Sequence, residues 1–177
     1  MKRSFAILSA LALVGCEREG NGEGPRMSKA APAARAELVD TQGRPVGTAR
    51  FAPDGRGLRV TLDLRGLPPG THALHLHEKG VCDRPEFKSS GDHFNPTGRK
   101  HGLLNPEGPH AGDLPNILVA GDGTSRGSFH APYLSLEPGP NSVFGTCLMI
   151  HAGPDDGMTD PAGNAGGRIA CGALRKE

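Results

Sequence analysis

The sequence has no strong net charge, no long hydrophobic run and no tryptophan, and these features narrow the class of protein that it encodes. With 20 basic and 19 acidic side chains the formal net charge is +1, so nothing indicates nucleic acid or an acidic surface as a partner. The apolar run at residues 5–14 is too short to span a bilayer. With no tryptophan, one tyrosine, 27 glycines and 16 prolines, the composition favours short strands and tight turns over a helical bundle.

Alternating segments bounded by turn residues predict strands through residues 36–177. Leu58, Val60, Leu62 and Leu64 would lie on one face of a strand, with one side of the sheet in the core and the other in water. The predicted strands cover residues 37–40, 46–51, 58–64, 73–77, 117–120, 128–130, 134–136, 148–151 and 168–174. Several short strands at this spacing predict an all-β sandwich or barrel.

The N-terminal region has the features of an export signal. Lys2 and Arg3 precede the apolar run, and the end of that run, Leu-Val-Gly-Cys16, is similar to the lipobox of bacterial lipoproteins. We therefore expect residues 1–15 to be a lipoprotein-type signal peptide, removed so that Cys16 carries a lipid anchor. An ordinary signal peptide with a chance cysteine is the alternative. Residues 16–35 contain few large apolar side chains, which predicts a flexible tether before a domain at residues 36–177.

This interpretation predicts a location at the bacterial cell envelope. A lipid on Cys16 would hold the domain at a membrane facing the periplasm, with no helix spanning the bilayer. Glu17 does not resemble the signal that retains lipoproteins in the inner membrane, so the outer membrane is favoured. Without residues 1–15 the net charge is about −1.

Histidines are concentrated in one stretch, residues 70–113. The six are His72, His75, His77, His93, His101 and His110. His75 and His77 flank Leu76 in an alternating segment, so a strand would direct both imidazoles to the same side. The following region is too long and too rich in glycine and proline for a single helix or strand, and it reaches a carboxylate at Asp113. Imidazole suits copper and zinc, and histidines with one carboxylate fit zinc, whereas solvated loop histidines are a poor explanation for so large a set.

These residues resemble the copper/zinc superoxide dismutases, in the form of a bacterial lipoprotein. Similar blocks stand in family order, and the resemblance covers residues 36–174. The blocks are ALHLHEKGVC (73–82), GDHFNPTGRKHG (91–102), PHAGDLPN (109–116), IHAGPDD (150–156) and GNAGGRIACG (163–172). The resemblance implies an eight-stranded Greek-key β-barrel or sandwich with long metal-binding and electrostatic loops.

The resemblance also implies a copper site and a zinc site that share His93 as a bridge. Copper is expected at His75, His77, His93 and His151, and zinc at His93, His101, His110 and Asp113. Copper changes oxidation state and needs an open face for a small anion, whereas zinc has no redox chemistry and keeps a closed site.

Further residues receive roles from the same resemblance. Asp155 matches a carboxylate that joins a copper histidine to a zinc histidine, and Arg168 matches an arginine that holds the anionic substrate. A solvated carboxylate and an ordinary exposed arginine are the alternatives. Cys82 and Cys171 match the family disulfide. Cys147 is left over, either as a buried packing thiol or as a transient soft ligand for incoming copper.

The implied activity is that of a superoxide dismutase, which yields dioxygen and hydrogen peroxide through a Cu(II)/Cu(I) cycle. His93 and Arg168 are the expected catalytic residues, with His93 acting as ligand, bridge and proton donor. The alternative is a non-catalytic copper/zinc-binding lipoprotein, which would have no need of Arg168. Superoxide, and a membrane through Cys16, are the expected partners, nucleic acid is not, and the protein is expected to be a monomer or a homodimer.

Overall fold

A computed structural model describes residues 32–177 and contains eight strands and one short 3-10 turn. The strands are β1 (Ala34–Asp40), β2 (Pro45–Pro53), β3 (Leu58–Leu64), β4 (Gly70–His77), β5 (Asp113–Val119), β6 (Ser125–Ala131), β7 (Cys147–His151) and β8 (Arg168–Lys176). Among residues 32–177, no helix has the length and apolar character needed to cross a membrane. The predicted signal peptide, the lipid on Cys16 and all but the end of the tether lie outside the described residues.

The eight strands form one antiparallel sheet in the order β5-β4-β7-β8-β1-β2-β3-β6. The two end strands, β5 and β6, also contact each other, so the sheet curls into a nearly closed barrel. This arrangement confirms the predicted all-β, eight-stranded fold. It also places β4 directly beside β7, although 69 residues separate their ends in the chain.

Side-chain alternation divides the barrel interior from its outer face. In β3 the residues Leu58, Val60, Leu62 and Leu64 are buried and the residues between them are exposed, as the sequence predicts. In β7 every residue is buried. Its even-numbered side chains lie in the barrel core, and its odd-numbered side chains lie on the outer face beneath covering loops. A buried outer face of this kind is where a site can be built.

One predicted strand is absent. Residues 134–136 form no regular strand, and their only pairing in the described part of the chain is an isolated bridge between Ser135 and Ser142. Pro132 lies just before this segment, and two further prolines follow it, so backbone donors that could extend the bridge into a ladder are missing on either side. Leu134 and Leu136 are nevertheless buried in the core, which explains why the apolar pattern resembles a strand.

The connection from β4 to β5, residues 78–112, covers part of the outer face. A disulfide between Cys82 and Cys171 ties it to β8, which confirms the predicted pairing. The two cysteines are 89 residues apart in sequence, so by the loop-entropy relation the crosslink stabilises the fold by about 4–5 kcal/mol. The long connection is thus held against the strands that carry histidines.

Candidate metal centre

One cluster of imidazoles lies on the outer face of β4 and β7. We call His75, His77 and His151 the copper-side cluster. His75 and His77 alternate with core leucines on β4, and His151 ends the neighbouring strand β7. Together with His93, each of the three offers a ring nitrogen within 4.8 Å of the others, and all four side chains are buried. The pleat of two paired strands therefore positions three of the four predicted copper ligands.

Hydrogen bonds determine which ring nitrogens of this cluster carry lone pairs. His77 Nδ1 donates to the carbonyl oxygen of Gly91 at 2.9 Å, and His151 Nδ1 donates to that of Gly166 at 3.1 Å. Each neutral ring then has an unprotonated Nε2. The two Nε2 atoms lie 3.4 Å apart, where neither can donate to the other. A cation between them would relieve this opposition, which is the arrangement expected of metal ligands.

Burial keeps these histidines neutral. It lowers the pKa of His77 to about 2, an effect that outweighs the hydrogen bond to Gly91. Burial also lowers the pKa of His151 to about 3, and repulsion from His75 adds to the effect. Neutral imidazole is the form that binds a metal ion, so at neutral pH no proton has to leave these two rings.

A second cluster, the zinc-side cluster, consists of His101, His110 and Asp113. The Oδ1 atom of Asp113 lies 3.1 Å from His101 Nδ1 and 3.3 Å from His110 Nδ1. It also lies 3.1 Å from His93 Nδ1, which in turn is 3.4 Å from His110 Nδ1. Zinc bonds of about 2.0–2.1 Å in a tetrahedron set neighbouring ligand atoms about 3.3 Å apart, so the spacing fits zinc.

A ring nitrogen of His75 also lies within 4.8 Å of potential ligand atoms of His93, His101 and Asp113. Its Nε2, however, is 2.8 Å from a carboxylate oxygen of Asp155, which leaves only Nδ1 for a metal. The spacing of about 3.3 Å around Asp113 Oδ1 is matched by His110, so His110 is the better fourth zinc ligand.

Carboxylates dominate the electrostatics of the zinc-side cluster. Burial by itself would lower the pKa of His101, but hydrogen bonds to Asp113 and Asp155 raise it to about 9. Burial would raise the pKa of Asp113, but hydrogen bonds from His101, His110 and His93 hold it far below its usual range. Asp113 Oδ2 also accepts from the backbone N–H groups of Gly102 at 2.8 Å and His110 at 3.0 Å. This half of the centre therefore contains its own negative charge.

His93 lies between the two clusters. Its Nδ1 faces Asp113 and His110, and its ring centroid is 4.1 Å from that of His75. Burial lowers the pKa of His93 to about 4, despite the hydrogen bond to Asp113. Within residues 32–177, only His93 Nε2 and His75 Nδ1 are buried side-chain polar atoms without a hydrogen-bond partner. Both belong to the predicted copper ligand set, so a metal ion on that side would satisfy both.

Asp155 connects the two clusters. Its carboxylate lies 2.8 Å from His75 Nε2 and 3.0 Å from His101 Nε2. Burial would raise the pKa of Asp155, but these contacts hold it below its usual range. Asn116 exchanges two hydrogen bonds with the Asp155 backbone, at 2.8 and 2.9 Å. Gly163 packs against the same carboxylate, and a Cβ at that position would collide with Asp155 Oδ1.

Arg168 begins β8 at the edge of an open cleft of about 700 Å³, which is also lined by His77, His93 and His151. Its guanidinium donates to Phe87 O and Ser90 Oγ at 2.8 and 2.9 Å, and to Gly91 O at 2.8 Å. Ser90 is fully buried, and its hydroxyl donates to Phe87 O at 2.8 Å. Arg168 is thus fixed by three acceptors on the loop that leads to His93.

The remaining cysteine, Cys147, lies on β7 with its sulfur within 4.8 Å of both disulfide sulfurs. Burial raises the pKa of the Cys147 thiol to about 11. The thiol therefore stays protonated and is a poor nucleophile toward the neighbouring disulfide. Cys16, the predicted lipid attachment site, lies outside the described residues.

Sequence reasoning missed three residues that support the centre: Ser90, Asn116 and Gly163. Ser90 precedes Gly91, and nothing in the pattern marks its hydroxyl as a partner of an arginine 78 residues away. Asn116 and Gly163 stand inside the blocks that carry the resemblance, yet no spacing rule links them to Asp155. Their roles emerge only when the loops pack together.

Comparison with known proteins agrees with this geometry. The family model described as copper/zinc superoxide dismutase matches residues 46–174. The chain is 52% identical over 147 residues to Cu-Zn superoxide dismutase 2 of Aquifex aeolicus, covering 80% of this chain and 86% of that protein. It is 40% identical over 148 residues to the Cu-Zn superoxide dismutase of Caulobacter vibrioides, covering 80% and 85%. The crystal structure of a SOD-like protein from Bacillus subtilis superimposes with a TM-score of 0.77 at 39% identity, covering 80% of this chain and 97% of that one.

Proposed function

The chain belongs to the copper/zinc superoxide dismutase family, and we propose that it dismutates superoxide at its two histidine clusters through a copper redox cycle. The observation that carries the proposal is the position of His93. One of its nitrogens belongs to the zinc-side cluster, and the other is unpaired beside a cleft that contains Arg168.

The donor sets fit two different metal ions. Copper would be held by His75, His77, His93 and His151, and zinc by His93, His101, His110 and Asp113. Copper bound there supplies one-electron redox chemistry, and zinc supplies a fixed positive charge without redox change. His77, His93 and His151 line the cleft, and of the zinc-side cluster only His110 does, whereas His101 and Asp113 are buried and do not line it.

His93 is placed to manage a proton. Two superoxide anions and two protons give one dioxygen and one hydrogen peroxide, so each turnover needs protons inside the cleft. His93 can carry one at Nε2 while its Nδ1 stays on the zinc side, and solvent in the open cleft can supply the other.

Arg168 is placed to bind the anion. Its guanidinium is a planar cation, and three loop acceptors hold it in the cleft that His77 and His151 also line. Such a fixed cation at the cleft attracts superoxide and orients it without rearrangement at the moment of reaction. Asp155 keeps His75 in the tautomer whose Nδ1 is free.

Dismutase activity of the metal-loaded protein, measured beside His75→Ala and Arg168→Ala, tests the proposal. We expect fast, cyanide-sensitive activity in the wild type. His75→Ala should abolish it, because a ligand is lost, and Arg168→Ala should reduce it about 10-fold or more, because the anion loses its fixed partner. Negligible wild-type activity with both metals bound would overturn the proposal and leave a metal-binding lipoprotein.

We also propose that the domain works in the periplasm, tethered by a lipid on Cys16 to the outer membrane. The lipobox-like sequence supports this location, and so does a disulfide between Cys82 and Cys171, since disulfides persist in oxidising compartments. Cys16→Ser should move the protein from the membrane fraction to the soluble fraction, and the mass of the mature N-terminal peptide should lose the lipid. If both forms sediment with membranes equally, the anchor is wrong.

A further inference from the structure

A small sulfur-rich cluster stands apart from the barrel core. Cys147, Met149 and Cys171 are fully buried in it with Phe87, and the half-buried Cys82 packs against them. The three cysteine sulfurs all lie within 4.8 Å of one another. The disulfide accounts for Cys82 and Cys171, but dismutation gives Cys147 no part to play.

Strand register places this cluster on the same face as the copper-side histidines. Cys147 pairs with His77 and Met149 pairs with His75 across β7 and β4, and Met149 pairs with Cys171 across β7 and β8. Directly paired residues of an antiparallel ladder project to the same side of the sheet. The sulfur atoms and the imidazoles therefore form adjoining patches beneath the same covering loops.

The chemistry of the cluster selects a soft, monovalent metal ion. Thiolate and thioether sulfur favour Cu(I), and with metal–sulfur bonds of about 2.3 Å a trigonal site needs sulfurs about 4 Å apart. The Cys147 sulfur lies within 4.8 Å of both disulfide sulfurs, which is near that requirement. Only the bond between Cys82 and Cys171 keeps two of the three sulfurs from acting as thiolates.

We propose that, when this disulfide is reduced, Cys82, Cys147 and Cys171 bind Cu(I) in a three-sulfur site beside the histidines, with Met149 at its edge. A dithiol reductant gives two electrons to the disulfide, and its own thiols become a disulfide while Cys82 and Cys171 become thiols. Cu(I) then displaces the protons of the three thiols to solvent. Thiol–disulfide exchange with another disulfide re-forms the bond between Cys82 and Cys171 and removes two of the three ligands. The site therefore exists only in the reduced chain.

Metal-free protein carrying Cys16→Ser contains only the three clustered cysteines, so it isolates the site. Cu(I) would be added anaerobically to the reduced and to the disulfide-bonded protein, in competition with a chromophoric Cu(I) chelator. X-ray absorption distinguishes sulfur from nitrogen neighbours, so the histidine cluster cannot mimic the signal. We expect three sulfur neighbours at about 2.3 Å in the reduced protein and mainly nitrogen neighbours in the oxidised protein.

Cys147→Ala is the decisive variant. Loss of a group that merely orients a ligand costs 10–100-fold in affinity, so loss of the thiolate itself should weaken Cu(I) binding to the reduced protein at least about 10-fold. Binding to the oxidised variant, and its dismutase activity once loaded with copper and zinc, should equal those of the wild type. These two measurements separate a failure of this proposal from a failure of the dismutase proposal.

Circular dichroism measures strand content and shows whether reduction unfolds the chain. If it does, Cu(I) binding should restore strand content together with the three-sulfur signal. The proposal is overturned if the reduced wild type shows only nitrogen neighbours. It is equally overturned if Cys147→Ala leaves the affinity of the reduced protein unchanged, or if an unfolded reduced chain fails to recover.

Discussion

The two halves of the metal centre are built in opposite ways. The copper-side cluster stands on paired strands, and burial keeps its rings neutral with their lone pairs opposed. The zinc-side histidines come from the loop that follows β4, and they converge on Asp113, whose charge holds His101 as a cation. His93 has a nitrogen facing each half.

The zinc-side half contains its own stabilising charges, whereas the copper-side half depends on the paired strands that carry it. The zinc-side cluster is a buried set of ion pairs of His101 and charge-assisted hydrogen bonds to Asp113 that holds its loop together. The copper-side cluster needs no such set because β-strand pleating already aims its rings. Asp155 links the two halves by contacting a histidine of each.

Asp113→Asn should give the largest difference between the two halves, measured as the loss in free energy of unfolding. The amide nitrogen would face the N–H groups of Gly102 or the ring of His101, and the buried His101 cation would keep only Asp155 of its two carboxylate partners. Breaking a buried ion pair costs about 3–5 kcal/mol, and denaturant unfolding of the metal-free protein measures it. His77→Gln, which removes no buried charge, is the matched control, and an equal loss in both variants would contradict the contrast.

Asp155→Asn should weaken metal binding at both the copper-side and the zinc-side cluster. The amide cannot accept from both His75 and His101, so metal affinity on each side should fall about 10–100-fold. Competition titrations with copper and with zinc measure each side separately. Asp156→Asn is the control, since that neighbouring carboxylate contacts loop backbone and Asn164 but no histidine. A loss confined to one metal would show that Asp155 does not link the halves.

Zinc affinity should depend on pH between 7 and 9, whereas copper affinity should not. Because the pKa of His101 is raised to about 9, zinc must displace its proton at pH 7, and zinc affinity should rise about 10-fold per pH unit from 7 to 9. His77 and His151 are already neutral in that range. The same raised pKa means that the ion pairs of His101 stabilise the metal-free fold fully below about pH 6.5 and lose that effect as the pH rises through about 9.

Calorimetry in buffers of different ionisation enthalpy counts the protons released as each metal binds. His101→Gln should abolish the rise of zinc affinity with pH. A zinc affinity that stays flat from pH 7 to 9 in the wild type would contradict the charged state assigned to His101.

Ser90→Ala should give the smallest effect, on the cleft beside the copper-side cluster. Arg168 would keep its two carbonyl partners and lose the Ser90 hydroxyl, a change of about 1 kcal/mol or about fivefold in dismutase activity. Azide affinity should fall in parallel while both metals stay bound. Ser89→Ala is the control, because that hydroxyl contacts only Asp83. Equal activities of the two variants would remove Ser90 from the positioning of Arg168.

Local pattern in the sequence is enough to predict most strands and the shared direction of His75 and His77. Alternation marks β3 and aims His75 and His77 together, because side chains on a strand change face at every residue. The same reasoning failed at residues 134–136, where buried leucines lie in a proline-flanked loop. Local apolar pattern reports burial, and burial does not require a ladder.

The residue types, their chemistry and, through resemblance, their grouping into two metal sites could all be predicted from the sequence. Tertiary structure decided what no spacing contains: which ring nitrogens stay free, which acceptors hold Arg168, and that Cys147 adjoins the disulfide. The physical reason is that these contacts join residues many positions apart through β7, β8 and the loop after β4. Their distances follow from how strands and loops pack, and packing depends on the whole chain at once.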